Sequence, residues 1–229
     1  MSKPSSAAAW HPAGALPLLL LIGPYYLNKL IYIAFPGYGV FLATDYLGRL
    51  FTLAALYLVL RRAPVRFALP WRLTWPTTTD LVLILGGAVA LIALDLLTQP
   101  AVDWLNDLSL RLTRYPEPTS PVAMIVDDSL GNLLIGFSEE AIFRFYLINA
   151  LLLRGSSRGG AVMLSTVVFA AIHWSFGLGA VAFAAGAGLL LATTYLTTRS
   201  LTAPVLIHAL YDAADFTGLI AALHRWLFG

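Results

Sequence analysis

The amino-acid sequence predicts an all-α fold, a polytopic membrane bundle of about seven to eight transmembrane helices. Of its 229 residues, 59% are hydrophobic and only 11% are charged, whereas a soluble domain carries roughly 25% charged residues. The mean hydropathy is +0.79. No repeat, linker or low-complexity tract divides the chain, so residues 1–229 are interpreted as a single transmembrane domain. The motif-bearing core of that domain is expected to be 124–220.

Apolar segments that approach the length of a membrane-spanning helix, roughly 20 residues, recur along the chain. There are about seven of them: 14–35, 39–60, 80–98, 124–153, 161–177, 179–197 and 201–220. The first has no cleavage site at a suitable distance and is interpreted as a retained span rather than a signal peptide. The fourth is too long for a perpendicular crossing, so it is expected to tilt or to begin in the interface. Residues 99–121 predict an amphipathic interfacial helix that ends in a proline-rich turn.

The basic residues predict the orientation of these segments, because lysine and arginine favour the cytoplasmic loops. With seven crossings and a cytoplasmic N-terminus, the cytoplasmic side receives Lys3, Arg61, Arg62, Arg66, Arg72, Arg154, Arg158 and Arg199. The other side receives Arg111, Arg114 and Arg225. The expected location is an integral, multi-pass position in a bacterial inner (plasma) membrane. A cavity that opens toward the cytoplasmic leaflet is expected with it.

The charge balance and the absence of cysteine exclude several classes of function. The net charge is only +2 and the chain has no cysteine. No basic cluster interleaves with aromatic residues, which argues against nucleic acid as a partner. Disulfides, thiolate metal sites and a cysteine nucleophile are excluded as well. The expected partners are the lipid bilayer and a membrane-associated protein or peptide.

Three polar motifs interrupt the apolar segments. Ionisable residues within membrane spans are rare, and they mark functional sites by default. With about 1.5 Å of rise per residue, the three motifs fall at a similar depth in the bilayer and are expected to converge. The motifs are Glu139-Glu140-x-x-x-Arg144, Phe169-x-x-x-His173 and His208-x-x-x-Asp212.

Helical spacing assigns different surroundings to the two glutamates. At about 100° per residue, Glu140 and Arg144 share a face and are expected to form an ion pair. Glu139 points away from Arg144 and is expected to be the available carboxylate. Asp212 shares a face with His208 and is expected to orient that imidazole.

A carboxylate and two imidazoles around a dry pocket are suited to hydrolysis. Glu139 can take a proton from water, while the imidazoles hold the water, donate to the oxyanion or protonate the leaving amine. No cofactor is expected, since Arg144 would repel a cation. A zinc-dependent membrane metalloprotease remains an alternative, with Glu139, His173 and His208 as ligands and an open position for water. A non-enzymatic transporter or immunity protein also remains open, because embedded acids and histidines build proton relays too.

The order of the motifs, Glu-Glu-x-x-x-Arg, then Phe-x-x-x-His, then His-x-x-x-Asp/Asn on separate helices, resembles a known family. This is the type II CAAX prenyl endopeptidase and bacteriocin-processing family, also called the CPBP or Abi family of glutamic intramembrane proteases. The resemblance implies that Glu139 activates water, that His173 assists it, and that His208 and Asp212 line the oxyanion side. Glu140, Arg144 and Phe169 would support the site, and no metal ligand is implied.

Overall fold

The computed structural model describes residues 14–62, 67, 69, 72–116 and 120–228. Within them the chain forms eight helices and no strand. The helices are α1 (Ala15–Ala34), α2 (Tyr38–Arg62), α3 (Thr78–Asp107), α4 (121–153), α5 (Arg158–Ala171), α6 (Leu178–Thr198), α7 (Thr202–Phe216) and α8 (Leu219–Phe228). Of the residues that the structure describes, 83% are helical. The predicted all-α membrane bundle is confirmed.

Four of these helices, α1, α2, α3 and α6, are long and apolar enough to cross a membrane by themselves. α7 and α8 pass the same test together, although a bend of 68° separates them. The described residues therefore contain four or five candidate spans, and the protein is an integral membrane protein. The larger number expected from the sequence included α4 and α5. α5 has only 14 residues, and α4 is not one regular α-helix.

The helix α3 extends further than the sequence predicts. It begins at a capping box, in which the Thr77 hydroxyl accepts a hydrogen bond from the Asp80 N–H and the Asp80 carboxylate accepts one from the Thr77 N–H. It then continues through Pro100 to Asp107. The interfacial helix predicted over 99–121 is therefore wrong: its first part belongs to α3, and residues 108–116 are mostly non-helical. Asn106 holds the end of α3 in place by accepting a hydrogen bond from the Gly179 N–H.

The central helix α4 alternates between α-helical and wider π-helical turns. Its α-helical parts are Pro121–Val126, Asn132–Glu139 and Ile148–Leu153, and its π-helical parts are Asp127–Gly131 and Glu140–Leu147. Every residue of Glu140–Leu147 is buried. A helix that is buried on all sides belongs to the core of a bundle, and π turns occur frequently at functional sites.

α4 approaches α7 closely at Gly136. A β-carbon at this position would lie 3.1 Å from the Val205 carbonyl oxygen and 3.3 Å from the Ala209 nitrogen. Both neighbours are backbone atoms of α7, so they cannot move aside without shifting that helix. The glycine therefore sets the distance between the helix that carries the glutamates and the helix that carries His208.

The bundle has two distinguishable ends. At one end, which we call the arginine end, the Leu201 N–H donates to the Arg72 carbonyl. Its other described basic residues, by the direction of the helices, are Arg61, Arg62, Arg154, Arg158 and Arg199. At the opposite end, which we call the tyrosine end, the Tyr115 ring contacts those of Phe41, Phe176 and Phe216. Lys3 and Arg66, which also contributed to the predicted orientation, lie outside the described residues.

Replacement of Gly136 by leucine is expected to force α4 and α7 apart. Overpacking of this kind costs about 1–3 kcal/mol of stability, so Gly136→Leu should lower the melting temperature of the purified protein by several degrees. Gly86→Leu is the matched control, because nothing lies within 4 Å of a β-carbon at Gly86 in α3. Equal melting temperatures for the two variants would contradict the close approach.

Candidate active site

The side chain of His208 lies among three carboxylates. Its Nδ1 donates to Glu140 Oε1 at 2.9 Å. Its Nε2 lies 3.6 Å from Asp212 Oδ2 and 3.9 Å from Glu139 Oε2. Asp212 is therefore in ion-pair contact with the imidazole, as its spacing predicted, but the hydrogen bond of the ring goes to Glu140 on another helix, a partner that the sequence did not predict.

The expected pair between Glu140 and Arg144 is present. Arg144 Nε lies 3.0 Å from Glu140 Oε2, and both side chains are 0% exposed. The N–H groups of the guanidinium do not point at an acceptor, and they have no hydrogen-bond partner among the described residues. The guanidinium carbon lies 4.1 Å from the centre of the Phe169 ring. Coulomb attraction and a cation–π contact therefore hold Arg144 in place.

Glu139 forms no ion pair with Arg144, but the guanidinium of Arg49 binds it. Its Oε1 accepts a hydrogen bond of 2.8 Å from Arg49 Nη1 on α2. Its Oε2 has no hydrogen-bond partner among the described residues. Arg49 was missed by the reasoning from sequence. The available signal was Asp45-x-x-x-Arg49 in the middle of an apolar segment, which is the same spacing of acid and base as Glu140-x-x-x-Arg144.

His173 follows the end of α5, where a short 3₁₀ turn (Trp174–Phe176) begins. Its Nδ1 lies 3.0 Å from the Phe169 carbonyl oxygen. A carbonyl oxygen only accepts hydrogen bonds, so Nδ1 carries the proton and Nε2 of the neutral ring is left as an acceptor. The Phe169 ring packs against both imidazoles, with centroid distances of 5.1 Å to His173 and 6.0 Å to His208.

Two cavities meet at His173. The larger one has a volume of about 270 Å³ and is lined by His173, His208 and Asp212 together with apolar and aromatic side chains. The smaller one, which we call the polar chamber, measures about 10 Å³, close to the space that one water molecule needs. Glu139 lines the polar chamber, as do Lys29 and Arg49. His173 and Tyr115 line both cavities and so separate them.

The structure brings all of the predicted site residues into one cluster. They are Glu139, Glu140, Arg144, Phe169, His173, His208 and Asp212. Within the described part of the chain, no group of three or more histidine, aspartate or glutamate side chains is arranged to hold a metal ion.

The larger cavity lies toward the tyrosine end, whereas a position toward the arginine end was expected. Tyr115, Phe176 and Phe216 form part of its wall. The reason is the length of α5: its 14 residues rise about 21 Å from the arginine end, so His173 lies past its far end. A third cavity, of about 530 Å³, lies beside the cavity of about 270 Å³ and shares Ala180, Phe183 and Asp215 with it.

Residues 122–214 match the model of a protein family described as "Type II CAAX prenyl endopeptidase Rce1-like". The resemblance predicted from the motifs is confirmed. The matched residues, which we call the Rce1-like segment, make up about two fifths of the chain and include all of the predicted site residues. The family supports a CAAX-type intramembrane protease, a hydrolase whose substrate is a peptide or protein within a membrane. No curated protein and no solved structure matches the chain at a significant level.

The position of the larger cavity predicts the face from which it can be reached. A cysteine at Ala180, which lines both the larger cavity and its neighbour, should react with a membrane-impermeant thiol reagent added on the side of the tyrosine end. A cysteine at Ser156, between α4 and α5 at the arginine end, should react from the opposite side. The chain has no native cysteine to remove. Labelling of both positions from the same side would contradict the arrangement.

Proposed function

We propose that the protein is an intramembrane endopeptidase that hydrolyses a peptide bond of a membrane-associated protein or peptide by means of water activated by Glu139. One observation carries the proposal: Glu139 lines a chamber about the size of a water molecule and has a carboxylate oxygen, Oε2, without a hydrogen-bond partner among the described residues. A carboxylate that lines such a chamber and keeps one oxygen unpartnered is suited to accept a proton from water.

In the proposed reaction, water in the polar chamber transfers a proton to Glu139 Oε2, and its oxygen attacks the carbonyl carbon of the substrate. His173 orients this water, since its Nε2 is the ring atom left to accept a hydrogen bond. The tetrahedral intermediate then collapses, the C–N bond breaks, and the proton held by Glu139 passes to the leaving amine. The products are a free carboxylate and a free amine.

His208 and Asp212 are proposed to act on the substrate side of the reaction. Both line the larger cavity, and His208 Nε2 lies between Asp212 and Glu139. When this nitrogen carries a proton, it can donate to the oxygen that becomes negative in the intermediate. The hydrogen bond from Nδ1 to Glu140 fixes the plane of the ring for this purpose.

The larger cavity is proposed to bind the substrate next to the scissile bond. Its wall along α6 is formed by Ala180, Ala184 and Ala187, and its remaining wall is largely aromatic and aliphatic. Such a surface accepts an apolar side chain from a segment in or near the bilayer. The water required for hydrolysis then enters from the side of the polar chamber rather than through the substrate.

We further propose that the reaction uses no metal ion. A zinc site would need Glu139, His173 and His208 as ligands. Arg49 donates to Glu139 at 2.8 Å, and a guanidinium in this position repels a cation at the same carboxylate. His208 Nδ1 is engaged by Glu140, and His208 lines the larger cavity rather than the polar chamber that Glu139 lines.

Substitution of Glu139 by glutamine should abolish hydrolysis without unfolding the protein. Removal of a general base reduces the rate by roughly 100-fold or more, while the glutamine oxygen can still accept the hydrogen bond from Arg49. The measurement is cleavage of a reporter peptide in detergent or vesicles, with the melting temperature recorded alongside. Asp107→Asn, at an exposed carboxylate away from the site, is the control. Full activity of Glu139→Gln would overturn the assignment.

The absence of a catalytic metal is tested separately. Active purified protein should contain no stoichiometric zinc, and 1,10-phenanthroline should leave its rate unchanged. Zinc found at one equivalent, together with activity lost to the chelator and restored by zinc, would replace the glutamic mechanism with a metalloprotease. Because Glu139→Gln would be inactive under either mechanism, this experiment separates the two.

A further inference from the structure

Arg49 contacts the proposed base although it lies outside the Rce1-like segment. It is on α2 and only 5% exposed. Its Nη1 donates to Glu139 Oε1 at 2.8 Å and to the Ser138 hydroxyl at 3.0 Å. The N-terminal helices therefore add a cation to a site whose other members all come from α4, α5, α7 and the turn after α5.

The guanidinium is itself held by a series of polar side chains. Arg49 Nε donates to Asp45 Oδ2 at 2.7 Å. The other oxygen of that carboxylate accepts from Asn28 Nδ2 at 2.9 Å, and the side-chain oxygen Oδ1 of Asn28 accepts from the Thr44 hydroxyl at 2.7 Å. α1 and α2 thus share one connected network that ends at Glu139.

Stabilisation of the fold does not by itself explain why this network is buried. A buried ion pair often contributes no more than well-packed apolar side chains of the same volume, because both charges lose their hydration. Here Asn28, Asp45 and Arg49 are all at most 7% exposed. Their hydrogen bonds have one geometric consequence at the site: one oxygen of Glu139 is fixed, and only the other is left without a partner.

A comparison with Glu140 supports this interpretation. Glu140 has one oxygen bonded to His208, and its other oxygen, which lacks a hydrogen bond, lies 3.0 Å from Arg144 Nε. Glu139 has one oxygen bonded to Arg49, whereas its other oxygen lies 3.9 Å from His208 Nε2 and pairs with no guanidinium among the described residues. The two adjacent carboxylates therefore differ because of the cations that reach them, and Arg49 is the cation that decides the orientation of Glu139.

We propose that Arg49, anchored by Asp45, is a positioning residue for Glu139: it binds Oε1 and thereby fixes the carboxylate, so that Oε2 is left as the proton acceptor. The inference rests on the proposed function, in which Glu139 is the base. It extends the functional unit to α1 and α2. It also assigns Asp45 and Asn28 to the support of the site.

The test compares four variants in detergent: Arg49→Lys, Arg49→Ala, Asp45→Asn and the control Thr52→Val. Thr52 is one turn from Arg49 on the same helix, is 0% exposed, and its hydroxyl has no hydrogen-bond partner among the described residues. Steady-state cleavage gives kcat and KM, and the melting temperature reports folding. Each variant is also assayed with methylguanidinium, which can enter the space left in Arg49→Ala.

A misplaced catalytic group reduces rates by roughly 10- to 100-fold, and this loss is expected in kcat for Arg49→Lys and Asp45→Asn, with KM within twofold of the parent. Methylguanidinium should restore part of the kcat of Arg49→Ala and leave Thr52→Val unchanged. A merely structural role predicts a lower melting temperature without such rescue.

Two outcomes would overturn the inference. One is a kcat of Arg49→Lys within twofold of the parent, and the other is an Arg49→Ala protein that folds but is not rescued. If Arg49→Ala does not fold, Asp45→Asn decides by its kcat alone. Glu139→Gln is assayed in parallel to distinguish failure of the positioning role from failure of the proposed function. If Glu139→Gln is inactive while Arg49→Lys has normal activity, only the positioning role is rejected. If Glu139→Gln is fully active, the proposed function itself is rejected.

Discussion

The burial of two adjacent carboxylates in an apolar bundle is the constraint on which the rest of the structure depends. An isolated ionised carboxylate in such surroundings is so unfavourable that it must be paired or neutralised. Glu139 and Glu140 meet this requirement in different ways: a guanidinium from α2 reaches the first, and a guanidinium one turn along α4 reaches the second. His208 then lies within 4 Å of both. The positions of α2, α4 and α7 are tied together through these contacts.

The shape of α4 follows from the same constraint. Its second π-helical part begins at Glu140 and runs through the fully buried stretch to Leu147. Gly136, one turn earlier, lets α7 approach until His208 reaches Glu140. A regular helix with a larger residue at this crossing would hold the imidazole away from the carboxylates. Local backbone geometry and the electrostatic requirement are thus met by one short stretch of chain.

Much of the fold and the composition of the site could be predicted from the sequence, because both depend on local patterns. Apolar length predicted the spans α1, α2, α3 and α6, and i,i+4 spacing predicted the pair of Glu140 and Arg144. The partners of Glu139 could not be predicted, since the contact with Arg49 joins residues 90 positions apart and depends on how α2 rotates against α4. The hydrogen-bond partner of His208 was not predicted for the same reason. Asp212 is close to His208 in the sequence, whereas Glu140, which accepts the hydrogen bond, lies on another helix.

The position of the larger cavity depends on the length of each helix, which the polar motifs do not specify. α5 is short, so His173 emerges at the tyrosine end beside Tyr115. There the imidazole separates a chamber of about 10 Å³ from a cavity of about 270 Å³. Under the proposed mechanism this separation matters, because a water molecule held by charged groups and an apolar substrate need different surroundings.

The walls of the two cavities come from different parts of the chain. The N-terminal helices supply the polar side, with Asn28, Lys29, Asp45 and Arg49, while α3, α6 and α7 supply most of the apolar side. The Rce1-like segment contributes the glutamates and histidines between them, so neither half of the chain encloses the site without the other.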